Sequence, residues 1–350
     1  MQVSEFLIRK NNNLDLMRVI LAIMVIVGHC IALNGDTKNW VDPIQYFFKY
    51  THSGSLAVKL FFVISGLVVT NSYLSKRDDF YFVVSRFFRI IPLLFFILFF
   101  TVFLLGPFLS TSSFNEYISH PNTLSYLWKN LIFDTQYYLK GVFLNNIYPN
   151  AVNGSLWSLR YEIACYIVLF SSFLILGKRD KKLLNIPVLL IIIDSILPKS
   201  FLFGFLGANV DINLTPFSFA LGVFLAINSK KISITINTVL SFGLLYFVFK
   251  TSYINHTLLI IFFSVLLIYL SSNKHILKIR LKYDVSYGIY LWGFLVQQTL
   301  FYYLGTIYAG LHCLIAILIS GALAILTYII IEKPFMEYGK KFYKIYNNKK

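Results

Sequence analysis

Two ionisable residues, Arg18 and His29, lie inside the first long apolar stretch of the chain, residues 14–33. A charged guanidinium in the hydrocarbon core of a membrane costs several kcal/mol unless it faces a partner or a water-filled cavity. Eleven helical residues turn through about three full turns, so both side chains lie on one face, about 16 Å apart along the axis. Histidine titrates near neutral pH and can act as base, acid or transient acyl acceptor. The pair therefore indicates chemistry inside a membrane.

Each member of this pair also has a purely structural interpretation. A buried histidine can simply bond to a backbone carbonyl of a neighbouring helix. Arg18 is only four residues into the apolar stretch, so its side chain can extend to the membrane interface. Asp15, three residues earlier, is then a natural partner on the same helix face.

Arg86 and Arg89 stand three residues apart at the predicted start of the third apolar span, and so they share a helix face. Guanidinium groups and the positive end of a helix both favour an anion. We expect this pair to hold the phosphates of a donor molecule. Ordinary basic flanking of a membrane span is the alternative.

Glu162 lies near the start of the fourth apolar span, at the end of the segment Ser155 to Glu162. An intramembrane carboxylate usually has a partner, and Arg160, His29 and Arg18 are the candidates. We expect Glu162 to orient and charge-balance the reacting site. A structural ion pair is the alternative.

The composition places the chain among polytopic membrane proteins. Of its 350 residues 57% are hydrophobic and only 13% are charged, about half the charged fraction of a soluble domain. The net charge of +16 is distributed over short segments between apolar runs, which argues against nucleic acid as a partner. The three cysteines lie in or beside apolar spans, and no His or Cys spacing is typical of a metal site, so we expect none. No cleavable signal peptide is expected, because the first span has no small-residue cleavage site.

Apolar runs predict an all-α integral membrane fold, a bundle of about ten transmembrane helices. The predicted spans are residues 14–33, 56–74, 86–106, 157–176, 183–198, 213–228, 232–249, 256–271, 285–304 and 311–331.

The placement of Lys and Arg predicts the orientation of these spans. One side receives 22 of the 31 basic residues, the other side six, and three lie within spans. Both termini are therefore expected in the cytoplasm. The predicted organisation is a cytoplasmic segment 1–13, a transmembrane domain 14–334 with an outer loop 107–156, and a basic cytoplasmic tail 335–350. The aromatic residues of the outer loop favour anchoring at the membrane interface over stacking on sugar rings.

These motifs together resemble the membrane-bound acyltransferase-3 family, which includes the O-acetyltransferases of bacterial surface polysaccharides. The resemblance covers nearly the whole chain, from Leu14 to about Pro334. It is carried by six motifs in order: Leu14 to Arg18 with His29, Leu60 to Gly66, the Arg86/Arg89 pair before Pro92, Ser155 to Glu162, Ser286 to Leu291, and Glu332-Lys333-Pro334. Within this last motif, Pro334 is expected to end the tenth helix. Ser65-Gly66 is interpreted as helix packing.

Two positions depart from the family pattern. Gly293 stands where the family often has a histidine, so this position cannot contribute an imidazole. Met17 replaces the glycine that is common before the arginine, a change expected to affect packing alone. Neither departure removes Arg18 or His29.

The resemblance implies an integral-membrane O-acyltransferase of the bacterial cytoplasmic (inner) membrane. The donor would be acetyl-CoA or another acyl-CoA, bound as a co-substrate with no tightly held cofactor. Arg18, Arg86 and Arg89 would bind this donor, while His29 and Glu162 would be catalytic. The acceptor would be a lipid-linked sugar or a nascent polysaccharide outside the cytoplasm. The oligomeric state stays open, with a homodimer as the candidate.

Two other functions fit parts of the same pattern. A transporter or flippase for a small anionic or sugar-linked substrate would also carry intramembrane charges and a basic cytoplasmic face. The sequence, however, shows no repeat symmetry and no matching pair of broken helices. A structural subunit of a surface-glycan assembly would hold the same charges as ion pairs without turnover.

Overall fold

The computed structural model describes residues 1–177, 180–197, 201, 210–249 and 254–348. Within these ranges the chain is helical and contains isolated β-bridges but no strand, so the all-α prediction is confirmed. The helices are α1 (Val3–Phe6), α2 (Leu14–Asn34), α3 (Pro43–Phe47), α4 (Ser53–Lys76), α5 (Asp79–Phe100), α6 (Gly106–Leu109), α7 (Phe114–Ser119), α8 (Pro121–Leu131), α9 (Trp157–Ser172), α10 (Asn185–Ile196), α11 (Val210–Ile227), α12 (Ile236–Val248), α13 (Asn255–Ser271), α14 (Lys274–Lys278), α15 (Ser286–Leu304), α16 (Ala309–Thr327) and α17 (Lys333–Asn347).

Five stretches of helix are long and apolar enough to cross a membrane: Leu14–Asn34, Ser53–Lys76, Asp79–Leu109, Gly154–Leu176 and Ala309–Asn347. Shorter apolar helices occupy Ile212–Ile227, Ile236–Val248 and Asn255–Ser271. The count of ten spans and the cytoplasmic position of both termini stay predictions. Several predicted features lie outside the described residues: the last residue of span 183–198, and Lys178, Arg179, Lys199, Lys250, Lys349 and Lys350.

The third span begins seven residues earlier than predicted. Asp78 caps α5, because its carboxylate accepts a hydrogen bond from the Tyr81 N–H at 2.7 Å. An aspartate before an amphipathic run is a strong helix start, and here it precedes the apolar run from which the boundary is predicted. The helix then passes Pro92 and continues through a π-helical segment, Thr101–Leu105, into α6.

The prediction that Pro334 ends the last span is wrong. After α16 the chain makes a π-helical turn, Tyr328–Glu332, and α17 continues to Asn347 with Pro334 in its first turn. A proline is tolerated there because the first N–H groups of a helix need no partner within it. The segment predicted as a basic tail is thus helical as far as Asn347.

The chain divides into two compact units. Unit 1 comprises Met1–Leu21, Ser55–Arg77 and Tyr161–Lys282, and unit 2 comprises Ala22–Gly54, Asp78–Arg160 and Tyr283–Lys350. The first long helix, α2, contributes its first eight residues to unit 1 and the remainder to unit 2.

Unit 1 is built on close packing between α4 and α11. A Cβ atom added to Gly66 would lie 2.2 Å from the carbonyl oxygen of Phe219, and one added to Gly222 would lie 2.1 Å from that of Val63. Small residues at such a crossing let two apolar helices approach without a cavity, as membrane helices require. The packing interpretation of Gly66 is confirmed. Buried apolar side chains of α4, α11 and α13 form the core beside it: Val63, Leu214, Phe217 and Ile260.

Unit 2 is organised around α15, whose polar side chains are buried and bonded to surrounding backbone. Gln298 donates from Nε2 to the carbonyls of Tyr148 and Ala151, at 2.8 and 2.7 Å, and so fixes the end of the loop between α8 and α9. The Asn153 side chain donates to the Leu291 carbonyl at 2.8 Å. These bonds hold the loop in one position against α15, where buried polar groups need partners.

Candidate active site

The five predicted site residues are distributed over both units. Arg18 and Glu162 belong to unit 1, whereas His29, Arg86 and Arg89 belong to unit 2. The structure gives the immediate surroundings of each side chain, and the chemical roles assigned to them stay predictions.

His29 lies in α2 where this helix contacts the start of α4. A Cβ atom added to the preceding residue, Gly28, would lie 2.2 Å from the backbone nitrogen of Gly54 and 3.0 Å from Nδ1 of His52. A glycine at position 28 is therefore required for this approach. The contact brings the His52 ring close enough to interact electrostatically with the His29 ring.

The His29 imidazole is half-buried and has one ring nitrogen without a hydrogen bond. Its ring meets the Phe294 ring edge-on, with centroids 5.2 Å apart and an interplanar angle of 78°. Nδ1 is buried, and no described residue hydrogen bonds to it. The structural interpretation, a histidine bonded to a backbone carbonyl, therefore fails at this nitrogen. An imidazole held by an aromatic edge with a nitrogen unoccupied is chemically suited to take a proton or an acyl group.

Gln297 fixes the backbone of α2 one turn before His29. Its fully buried side chain donates from Nε2 to the Ile26 carbonyl at 3.0 Å. The Gln297 carbonyl in turn is 3.2 Å from Nε2 of His312, which is also fully buried. Positions 293 and 26 are in contact as well, since a Cβ on Gly293 would lie 2.8 Å from Cγ1 of Ile26. The histidine common in the family at position 293 could not be accommodated here without a shift of the Ile26 side chain.

Arg89 is held by two carboxylates. Its Nη1 lies 2.8 Å from Oε2 of Glu332, and its Nη2 lies 3.1 Å from Oδ2 of Asp284. The Glu332 side chain is only 1% exposed. Tyr287 adds its ring, 5.8 Å from the guanidinium carbon, and donates its hydroxyl to the Ile90 carbonyl at 3.1 Å. Arg89 thus connects α5 with the segments that begin α15 and α17, and both of its terminal nitrogens are engaged.

The predicted position of Arg86 and Arg89 at a helix N-terminus is wrong. Because α5 begins at Asp79, Arg86 is the eighth residue and Arg89 the eleventh. The field of the helix dipole falls off within the first turn, so it does not assist anion binding at either position. Arg86 itself is half-buried, and none of the described residues pairs with it. Of the two arginines, Arg86 is thus the one whose guanidinium N–H groups can bind a ligand.

Arg18 lies next to Asp15 on α2, as the spacing predicts. The Arg18 Nη1 is 3.5 Å from Oδ1 of Asp15, and Arg9 contacts the other carboxylate oxygen at 3.3 Å. The Arg18 side chain is 22% exposed. The guanidinium is thus partly accessible, and its role in donor binding stays a prediction.

Within unit 1, Glu162 is held by two hydroxyl groups. Its Oε1 accepts hydrogen bonds from the Tyr166 hydroxyl at 2.5 Å and from Ser65 at 3.1 Å, and these two hydroxyls are 2.7 Å apart. Tyr166 follows Glu162 by one helical turn, and Ser65 comes from α4. The described part of unit 1 shows this arrangement in place of a pair with Arg18. One oxygen of the carboxylate is thus fixed in direction.

Several residues of these sites were missed in the sequence. Gln297 and His312 carried a signal, since each is a polar residue within an apolar span. Ser65 was interpreted only as packing. His52 and Asp284 lie at span ends, where polar residues are common, so their contacts could not be inferred from the sequence alone.

Apolar helices with the length of membrane spans indicate a membrane protein, and the half-buried His29 imidazole has a ring nitrogen available for chemistry. Comparison with known families gives the particular class. A family model described as an acyltransferase domain matches residues 11–331. The chain therefore belongs to this acyltransferase-3 family.

One relative extends the comparison beyond the family model. The chain is 28% identical over 347 residues to a protein of Shigella phage Sf6 described as an O-acetyl transferase, covering 93% of this chain and 96% of that protein. No solved structure matches the chain.

Proposed function

We propose that this acyltransferase is an O-acetyltransferase that moves an acetyl group across the cytoplasmic membrane. The donor is cytosolic acetyl-CoA, and the acceptor is a hydroxyl of a lipid-linked sugar or polysaccharide on the opposite side. The proposal rests above all on the His29 imidazole, which has an unoccupied buried nitrogen within an apolar helix of an acyltransferase. The similarity to the phage O-acetyl transferase supports oxygen as the accepting atom.

Coenzyme A is a polyanion and does not enter the bilayer core, so it must bind at the cytoplasmic end. Arg86 binds its phosphates in this proposal, since its guanidinium has no partner among the described residues. Arg89 supports the same helix through its two carboxylates, a positioning role that replaces the direct contact predicted from the sequence. Arg18 directs the donor arm along α2.

His29 performs the transfer by one of two routes. As a general base, an imidazole nitrogen takes the proton of the sugar hydroxyl while the oxygen attacks the thioester carbonyl and the thiolate of coenzyme A leaves. As a nucleophile, the imidazole first accepts the acetyl group and then passes it to the hydroxyl. We retain Glu162 of unit 1 as a candidate catalytic carboxylate, because its Oε1 is already oriented by the Tyr166 hydroxyl.

Replacing His29 tests the proposal directly. His29→Ala and His29→Gln should each lower acetyl transfer at least about 100-fold, the lower limit for losing an acid–base group. Transfer is measured with purified protein, acetyl-CoA and a polysaccharide acceptor, by thiol release and by the acetyl mass gained. His275→Ala is the matched control, because His275 is exposed on the short helix α14.

The outcomes separate the function from the role of the residue. Normal acetyl transfer by both His29 variants would exclude His29 as the reacting group. No transfer by the unmodified protein, in membranes that contain the natural acceptor, would contradict the O-acetyltransferase proposal itself. Acetyl label on unmodified protein that is quenched before acceptor is added, and its absence in His29→Gln, would select the nucleophilic route.

A further inference from the structure

The last helix, α17, has three different faces. Its first face packs on α5: a Cβ atom on Gly339 would lie 2.7 Å from the Phe88 ring, and the Tyr343 hydroxyl donates to Oδ2 of Asp78 at 2.7 Å. The Tyr346 ring lies 4.1 Å from that of Phe80, measured between centroids. These contacts fix the rotation of α17 about its axis and determine which side chains face outward.

The second face is apolar and exposed. Phe335, Tyr338, Phe342 and Ile345 follow one another at intervals of three and four residues, so they form one stripe along the helix. Tyr338 is 58% exposed and Ile345 is 59% exposed. Neighbouring α5 adds the exposed ring of Phe87. A row of large apolar side chains of this length on an otherwise polar helix marks an interaction surface.

The third face is basic. Lys333, Lys340 and Lys344 share one side of α17, with Lys341 and Glu337 beside them, and all five are exposed. Residues 342 and 344 are two positions apart, so their side chains point about 160° away from each other. An exposed apolar stripe opposite a lysine-rich stripe is the pattern of a helix that lies in a membrane interface.

The position of α17 along the chain agrees with this pattern. It follows α16 after a single π-helical turn. A hydrocarbon core of about 30 Å takes up about 20 helical residues, so a span that begins at Ala309 reaches the headgroup level near the start of α17. Wider turns of this kind permit a bend in a helix.

We propose that α17 is an interfacial helix that binds anionic phospholipid. Phe335, Tyr338, Phe342 and Ile345 enter the boundary of the acyl chains, and the lysines contact the phosphate groups. Charge complementarity favours this occupant, because the lysine row of α17 matches the anionic phosphate groups that border the acyl chains. Each lysine near an anionic surface strengthens binding by a factor of roughly five.

Site-directed spin labelling tests where each face lies. Cys165→Ser removes the half-buried thiol, and Phe342→Cys or Lys344→Cys then introduces one label position on each side of the helix. The full-length protein is reconstituted in phosphatidylcholine vesicles with about 30% phosphatidylglycerol, a strongly anionic surface. We expect the label at 342 to collide mainly with oxygen and the label at 344 mainly with a water-soluble nickel complex. Equal access of the nickel complex to both positions, or protection of position 342 from both reagents, would overturn the proposal.

The role of charge needs a matched pair of variants. One protein with the label at 342 combines Lys340→Gln, Lys341→Gln and Lys344→Gln. A second protein with the same label combines Lys230→Gln, Lys231→Gln and Lys274→Gln. Both sets remove three exposed positive charges. With all lysines present, the label at 342 should enter the acyl-chain region more readily in anionic than in neutral vesicles. This preference for anionic vesicles should fall at least about tenfold in the first protein and stay unchanged in the second. Salt at about 0.5 M should reproduce this loss in the unmodified lysine background. An equal fall in both proteins would show a general charge effect and reject α17 as the binding surface.

Discussion

At the scale of single residues, the two arginines of α5 have different surroundings although they share a helix face. Arg89 forms ion pairs with Asp284 and Glu332, whereas Arg86 has no partner among the described residues. The sequence shows two equivalent cations three residues apart. The difference arises from partners that lie 195 and 243 residues away along the chain, which spacing alone cannot reveal.

This difference predicts opposite consequences of substitution. Arg89→Ala should lower the free energy of unfolding by about 3 kcal/mol or more, because it leaves the buried Glu332 carboxylate without its cation. Arg86→Ala should leave stability nearly unchanged and raise KM for acetyl-CoA roughly tenfold, as the loss of one charge-assisted hydrogen bond implies. Thermal unfolding in detergent and initial rates check the two parts. A larger rise in KM for Arg89→Ala than for Arg86→Ala, at equal stability, would reverse the assignment.

At the scale of helices, one carboxylate takes part both in the start of α5 and in the contact between α5 and α17. Asp78 caps α5 and also accepts the hydroxyl proton of Tyr343. Partial burial acts to raise the pKa of Asp78, but these donors outweigh it, so the pKa lies below its ordinary value of 3.8. A lowered carboxylate pKa means that the charged form stabilises the folded state.

Asp78→Asn and Tyr343→Phe should therefore both lower the stability of the contact between α5 and α17 at neutral pH. Asp78→Ala removes both the cap and the acceptor of the Tyr343 hydroxyl, and it should lower the free energy of unfolding by about 1–2 kcal/mol. Asp78→Asn should have a smaller effect, because asparagine also caps helices. The stabilisation by the charged carboxylate is present above about pH 4 and is lost as the pH falls through the lowered pKa. The difference in stability between wild type and Asp78→Asn should therefore shrink at acidic pH. Hydrogen exchange of the backbone amides in the first turn of α5 measures this stability difference. A difference that grows on acidification would contradict the charged cap.

Helix positions could be largely predicted from the sequence, whereas several helix ends could not. Long apolar runs determine where helices lie, because a membrane span must satisfy its own backbone. The start of α5 was missed because Asp78 and Asp79 precede the apolar run by a turn or more. The continuation past Pro334 was missed because a π-helical turn is not visible in hydropathy. For the candidate site, the roles assigned from residue types stay predictions, and the hydroxyl partners of Glu162 could not be predicted because they depend on packing between distant segments.

At the scale of the whole molecule, the proposed reaction is vectorial: the donor enters from the cytoplasm and the acceptor from the other side. The separation of Arg18 and His29 along α2, about 16 Å, is half the thickness of a ~30 Å hydrocarbon core. An acetyl group carried on the flexible arm of coenzyme A can cover the remaining distance while the phosphates stay in water. The enzyme should therefore discriminate between the two faces of the membrane for each substrate.

Sealed membrane vesicles of opposite orientation test this asymmetry. Inside-out vesicles should release coenzyme A from acetyl-CoA added outside and acetylate acceptor enclosed in the lumen, because the donor reaches the cytoplasmic face. Right-side-out vesicles should be inactive with external acetyl-CoA until detergent permeabilises them, since a polyanion does not cross the bilayer. The His29→Gln protein, inserted at the same level, controls for hydrolysis of the donor by other enzymes. Equal rates in both intact orientations would mean that donor and acceptor meet on one face, and the transmembrane transfer would have to be abandoned.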